Sequence, residues 1–319
     1  MVAYFAFAAF GAFLWICMYI FRNCFYSPKN RQEDPYERAK GAQYEDVADL
    51  ITECVRVVDK TPCRWVSTKS YDGLTLWARY YQLNSDAPTI IVFHGYRGNA
   101  LRDGAASLAI GSRLGFNVLI PDQRSHARSD GRVITFGVKE RFDVRTWAEF
   151  IGGDRPIILS GLSMGAATVL MASDLNLPGN VVGILADCPY DSPAAIIQKV
   201  CTDRRFPKKI VYPFIRWTAR VFCGFNLESA SAISAVENTQ LPILILHGED
   251  DRFVPWEMSW RIAKACAGPV ELEIFPGAGH GLCYMTDPLR YEGAVIRFFR
   301  RLKSLRSYLE KSDLGRRYR

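Results

Sequence analysis

The stretch Ile157–Thr168, IILSGLSMGAAT, decides how the rest of the chain is read. An apolar strand over Ile157–Leu159 runs into a turn of small residues, and the turn runs into an Ala-rich helix. Inside the turn, Gly161-Leu162-Ser163-Met164-Gly165 forms a G-x-S-x-G pentapeptide. A serine on so sharp a strand-to-helix turn has a strained backbone and projects its hydroxyl away from the sheet. Glycines two before and two after it let helix and strand approach without a side-chain clash. The helix start behind Ser163 brings unpaired N–H groups and a partial positive charge to the same point. Such pentapeptides also arise by chance in turns, so the weight lies in the strand before it and the helix after it.

Working outward, short Val/Ile-rich runs recur at Thr89–Phe93, Asn117–Ile120, Val181–Ala186, Ile243–Leu246 and Glu271–Phe275, with helical segments between most of them. That alternation predicts a mostly parallel sheet with helices on both faces. Upstream, Arg64–Lys69 and Leu74–Leu83 flank Asp72-Gly73, a hairpin signal. The rhythm breaks between Asp187 and Leu241, where Ala194–Val200, Lys209–Phe222 and Ser229–Val236 read as helices. An insertion at this point is expected to cap the carboxyl ends of the strands, where α/β sheets place their sites.

Val2–Phe21 holds no charged residue and is rich in Ala, Phe, Ile and Tyr. As a helix it spans roughly 30 Å, the thickness of a bilayer's hydrocarbon core. No basic start or small-residue cleavage site marks it as a signal peptide, so a retained single-pass anchor is expected. Arg22, Lys29, Arg31, Arg38 and Lys40 all follow the span, which places the remaining chain on the cytoplasmic side of a membrane. The expected organisation is an anchor over 1–21, a polar linker and an amphipathic helix (Glu45–Val58) within 22–60, a main domain over 61–311 with its cap at about 190–240, and a basic tail over 312–319.

The formal charge of +7 is carried by the end of the chain, because Ile296–Arg319 holds nine Lys and Arg against two acids. A diffuse nucleic-acid surface is therefore not indicated, and the cluster at Arg297, Arg300, Arg301, Lys303 and Arg306 reads as a solvated helix end or a contact for anionic lipid. The cap is also basic, at Lys199, Arg204, Arg205, Lys208, Lys209, Arg216 and Arg220, with aromatic residues interleaved. That pattern fits a solvated amphipathic helix pair or a lipid-facing lid. Nine scattered cysteines show no C-x-x-C pair and no ligand spacing, which argues for free thiols and against a metal site.

A serine nucleophile needs a base, usually an imidazole. The chain offers His94, His126, His247 and His280. His94 and His247 each end a strand before a glycine and read as structural supports. His280 lies between glycines just after the last apolar strand, in Gly277-Ala278-Gly279-His280-Gly281. Candidate acids are Glu249, Asp250 and Asp251 in one loop, and Asp187 at the end of the strand before the cap.

Over about residues 65–305 the chain resembles the α/β-hydrolase fold family. The Gly161–Gly165 turn, His94-Gly95 after an early strand, the segment His247-Gly248-x-x-Asp251-x-x-Val254-Pro255 and the late Gly277-x-Gly279-His280-Gly281 follow in that family's order. Within it, the chain is similar to the membrane-anchored bacterial branch of S33-aminopeptidase-like or Bem46-like serine hydrolases. The resemblance implies Ser163 as nucleophile, Asp251 as acid and His280 as base, with an oxyanion hole from the backbone N–H groups of Tyr96 and Met164. It implies acyl-enzyme chemistry on a carboxylic ester, thioester or small amide, possible lipid-like substrates, and no cofactor or metal. Acyl transfer and aminopeptidase-like cleavage would use the same triad, and a membrane-anchored scaffold with a broken triad is the non-enzyme alternative. One segment departs from the pattern: Asp122-Gln123-Arg124-Ser125-His126-Ala127 has Ser125 and Ala127 where the family's loop has glycines, which puts that loop's shape in doubt. The expected site lies wholly beyond residue 90.

Overall fold

A computed structural model describes residues 1–28, 34, 36 and 41–311. The basic tail expected over 312–319 lies outside the described residues. The chain runs α1 (Val2–Ile20), a π-helical turn (Phe21–Phe25), a 3-10 turn (Ala42–Tyr44), α2 (Ala48–Lys60), β1 (Arg64–Lys69), β2 (Thr75–Tyr81), β3 (Thr89–Phe93), α3 (Ala100–Leu114), β4 (Asn117–Asp122), α4 (Glu140–Ile151), β5 (Ile157–Leu162), α5 (Met164–Met171) and β6 (Val181–Asp187). It continues with α6 (Pro193–Asp203), α7 (Lys208–Val221), α8 (Ala232–Val236), β7 (Ile243–Gly248), α9 (Glu257–Ala265), β8 (Val270–Phe275), α10 (Cys283–Thr286), α11 (Pro288–Arg301) and α12 (Lys303–Lys311).

The eight strands form one sheet in the order β1-β2-β4-β3-β5-β6-β7-β8. β2 pairs antiparallel with β1 and with β4, and every pairing from β4 through β3 to β8 is parallel. The central strands β3, β4 and β7 are buried along their whole length, as continuous apolar runs require. One face packs on Val144 and Trp147 of α4, on α5, and on Val236 of α8 and Ile262 of α9. The other packs on Val55 and Val58 of α2, on α3, and on Phe298 and Phe299 of α11.

Four expected strands extend further at their carboxyl ends. β4 reaches Asp122, β5 Leu162, β6 Asp187 and β7 Gly248. The apolar run stops earlier, but ladder hydrogen bonds belong to the backbone, and pairs such as Gly161 with Ala186 and Leu162 with Asp187 continue the register. The polar residues at these ends are thereby held as rigidly as the core.

One segment departs from the expected organisation. Arg22–Ser27, expected in a polar linker, is docked onto the domain. Phe25 is fully buried, with its ring edge-on to Phe136 and Phe225 at 5.9 and 5.6 Å. Ser27 N–H donates to the Arg132 carbonyl and Ile134 N–H to the Phe25 carbonyl, each at 2.9 Å. Arg22 and Asn23 interrupt the apolar run after Phe21, so composition alone gave no sign that Phe25 belongs to the core. Two arginines at the end of α11 are partly neutralised by the sheet. Arg301 pairs with Glu271 at 2.6 Å and Arg297 with Glu273 at 3.2 Å, both on the edge strand β8.

Candidate functional site

Ser163 sits between β5 and α5 with φ +53° and ψ −113°. A non-glycine residue in that region carries of order 1–3 kcal/mol of strain, which the surroundings must hold. Ser163 N–H donates to the Asp187 carbonyl at 2.8 Å, and the Ser163 carbonyl accepts from Ala167 N–H at 2.9 Å. Gly165 is required on steric grounds, because a Cβ there would run into the Phe93 carbonyl at the end of β3.

The loop after β8 brings His280 to Ser163. Its Nε2 lies 2.9 Å from Ser163 Oγ, and its Nδ1 lies 2.6 Å from Asp251 Oδ2. Asp251 Oδ1 accepts from the N–H groups of Phe253 and Val254 at 2.9 and 2.8 Å. Burial alone would raise this carboxyl, but hydrogen bonds from His247 and His280, the nearby imidazole charge and the Val254 N–H hold it well below the usual carboxylate range. Asp251 therefore stays anionic.

Of the rival acids, Asp250 and Glu249 are exposed. Asp187 is buried at the end of β6, and burial raises its carboxyl to about 6 against the opposing influence of His247 and of hydrogen bonds from Cys283 and Tyr291. His247 Nε2 lies 2.8 Å from the Val254 carbonyl and 3.2 Å from Asp251 Oδ2, both acceptors, so Nε2 carries the proton; Nδ1 meets Ser259 Oγ at 2.6 Å. His94 Nε2 accepts from Gln123 N–H at 3.0 Å, which makes Nδ1 the donor to the Gly95 carbonyl at 2.9 Å. Both histidines brace strand ends and do not reach Ser163.

The loop after β3 crosses close to the serine. A Cβ on Gly95 would stand 3.6 Å from Ser163 Cβ, and Gly95 N–H is fixed by Asp103 Oδ2 at 2.8 Å. Tyr96 follows in this loop, and Met164 opens α5 immediately behind the serine. The doubt over the Asp122–Ala127 loop is resolved by its backbone: Ser125 and Ala127 adopt φ +65° and +40°, the left-handed shape glycine favours, at a steric cost. Buried Arg124 ties this loop to Asp143 of α4 at 2.6 Å and to Asp72 of the β1–β2 turn at 2.9 Å.

A cavity of about 350 Å³ opens beside Ser163 and His280, walled by Tyr96, Ser107, Phe253, Tyr284 and Met285. Gln43 and Tyr44 also line it, which the sequence reading missed by placing the site beyond residue 90. The inserted segment between Asp187 and Leu241 contributes no residue to this wall, although it was expected to cover the site. Phe253 stands edge-on to the His280 ring at 5.1 Å. The sulfur of Cys188 and ligand atoms of Asp251 and His280 lie within 4.8 Å of one another. Burial and the neighbouring Asp187 push the Cys188 thiol well up, however, which disfavours the thiolate that a metal needs. All nine cysteines are free.

The sequence profile of the alpha/beta hydrolase family matches residues 90–294. The uncharacterized protein YqkD of Bacillus subtilis is 26% identical over 225 residues, covering 69% of this chain and 73% of that one. Lysophosphatidylserine lipase ABHD12 of Danio rerio is 27% identical over 204 residues, covering 60% of this chain and 50% of the lipase. Among solved structures, the Pyrococcus furiosus esterase Pf2001 superposes with a TM-score of 0.60 at 20% identity, covering 77% of this chain and 95% of the esterase.

Proposed function

Because this chain belongs to the alpha/beta hydrolase family, we propose that it is a serine hydrolase working through an acyl-enzyme on a carboxylic ester, thioester or small amide. The observation that carries the reading is the unbroken hydrogen-bonded run from Asp251 through His280 to Ser163, at 2.6 and 2.9 Å. Ser163 Oγ attacks the acyl carbon while its proton passes to His280 Nε2. Asp251 fixes the tautomer and stabilises the imidazolium. The N–H groups of Met164 and Tyr96 receive the oxyanion. Collapse expels the leaving group, which takes the proton from His280. Water then attacks the acyl-serine, giving one proton to His280, which returns it to Ser163 as the acid departs.

The reading extends to a membrane setting. From Phe7 onward, α1 belongs to the one candidate span among the described residues, Phe7–Phe25, whose mean hydropathy is 1.4. Tyr4, Phe5 and Phe7 stand more than two-thirds exposed on it, a surface that a bilayer would cover. The basic residues that follow the span favour the cytoplasmic side. Together with the relatives named lysophosphatidylserine lipase, this points to an acyl ester of a lipid. A cavity of about 350 Å³ lies at the small end of ligand sites and suits an acyl group rather than a whole two-chain lipid.

The test is full-length protein in detergent, offered p-nitrophenyl esters of increasing chain length and a fluorophosphonate probe. Turnover and labelling in the wild type, both lost in Ser163→Ala, are expected. A Ser163→Ala protein that keeps more than about a hundredth of the activity would remove the assignment, since loss of a triad member costs several powers of ten.

A further inference from the structure

We propose that two stretches ahead of the main sheet are positioning elements: the first, Phe21–Tyr26, holds the oxyanion loop, and the second, Gln43-Tyr44, holds the base loop. The proposal rests on the serine-hydrolase reading of the site.

The first element is a helix terminus. The last carbonyls of a helix lack partners within it and carry the negative end of its dipole. In the π-helical turn these carbonyls are taken up by the loop after β3. Tyr96 Oη donates to the Cys24 carbonyl at 2.8 Å, and Arg97 Nη2 donates to the carbonyls of Asn23 and Tyr26 at 2.9 and 3.2 Å. The contact works in both directions: the loop caps the helix, and the helix fixes the loop. Arg97 sits at φ +49°, a conformation a non-glycine residue keeps only when held. Tyr96 is braced further by stacking on Phe136 at 4.9 Å, and Phe136 meets Phe25 of the same turn. The backbone N–H assigned to the oxyanion thus belongs to a residue whose side chain is tied to the end of the anchor.

The second element reaches the base. Tyr44 Oη donates to the His280 carbonyl at 3.2 Å, and His280 N–H donates to Gln43 Oε1 at 3.2 Å. Burial pushes the Tyr44 hydroxyl up to about 12, so it remains a donor at any working pH. Glycines flank His280 on both sides, and Gly281 has φ +67°, so the loop has little stiffness of its own. Two bonds to the backbone of His280 itself supply what the loop lacks.

Tyr96→Phe, Tyr44→Phe and Arg97→Met each keep most of the side chain while removing its bonds to the other partner. They are to be made in the full-length protein and measured with a soluble p-nitrophenyl ester, after titrating competent sites with a fluorophosphonate. Small misplacements of catalytic groups cost up to about 10²-fold in rate. The expected result is a kcat per titrated site lower by about 10-fold in the two Phe variants and by up to about 10²-fold in Arg97→Met, with KM within about twofold. A residue that only walls the cavity would raise KM and leave kcat alone, and one that only supports folding would lower the titrated sites with kcat per site unchanged; either result overturns the proposal. Ser163→Ala, measured alongside, separates the two levels. If it stays active, the hydrolase reading fails; if it is dead and the three variants match wild type, the positioning proposal alone fails.

Discussion

Replacing Asp251 with asparagine removes one charge and almost no volume, and the structure gives the consequence atom by atom. All four neighbours of the carboxylate are donors: His280 Nδ1 at 2.6 Å and His247 Nε2 at 3.2 Å on Oδ2, and the N–H groups of Phe253 and Val254 at 2.9 and 2.8 Å on Oδ1. An amide has one accepting oxygen and one donating nitrogen. If its oxygen faces the two backbone N–H groups, its NH2 faces the two histidines, and His280 must turn to the tautomer whose Nδ1 accepts. The proton then sits on Nε2, pointing at Ser163 Oγ, and the imidazole can no longer act as base. If the amide is flipped, its NH2 opposes two backbone donors. Neither orientation preserves the working site, so kcat should fall by about 10⁴, the cost of losing the acid that sets the tautomer. Asp250→Asn, at an exposed neighbour, should stay within about threefold. The assay is ester hydrolysis by full-length protein, normalised to folded protein by its melting transition. Comparable rates for Asp251→Asn and wild type, or a reversal of the two variants, would refute the reasoning.

Three further outcomes are expected. The Asp187 carboxyl is raised to about 6 by burial, so ionising it opposes folding; the penalty is absent below its unfolded value near 4, builds up between about 4 and 6, and is complete above 6. Asp187→Asn should therefore stabilise the protein by roughly 2 kcal/mol at pH 8 and by little at pH 4, read from urea unfolding at both pH values. Ala127 is exposed at φ +40°, and Ala127→Gly should relieve about 1 kcal/mol and raise Tm by about 2–4 °C in calorimetry, with no gain counting against left-handed strain there. Finally, full-length protein should stay with membranes through a high-salt wash, because screening weakens surface basic contacts but not an inserted apolar helix; recovery in the wash would remove the anchor.

The sheet was legible because buried parallel strands are written as continuous apolar runs, and Thr89–Phe93 is the clearest case. The site was legible to the extent that strict local geometry demands particular residues. Gly165 has no room for a Cβ against Phe93, and Ser163 needs its flanking glycines. The shape of the loop at Ser125 and Ala127 was left in doubt because packing can impose a left-handed backbone on residues that do not prefer it. The contacts of Gln43 and Tyr44 with His280 span more than 230 positions, and nothing local in AQYED signals them. Phe25 was read as linker because Arg22 and Asn23 separate it from the apolar run that ends at Phe21.

That burial of Phe25 has a mechanical meaning for a chain anchored as proposed. A domain on a flexible leash of 20 residues would sample a volume tens of ångströms wide and meet the membrane at every angle. Here the helix enters the domain directly, Phe13 of α1 lies 4.7 Å from Trp217 of α7, and the next turn is already core. Seated in a bilayer, such a helix would act as a mast rather than a leash: it would fix the height and tilt of the candidate site over one leaflet, and searching for substrate would become diffusion in a plane with the same face always presented.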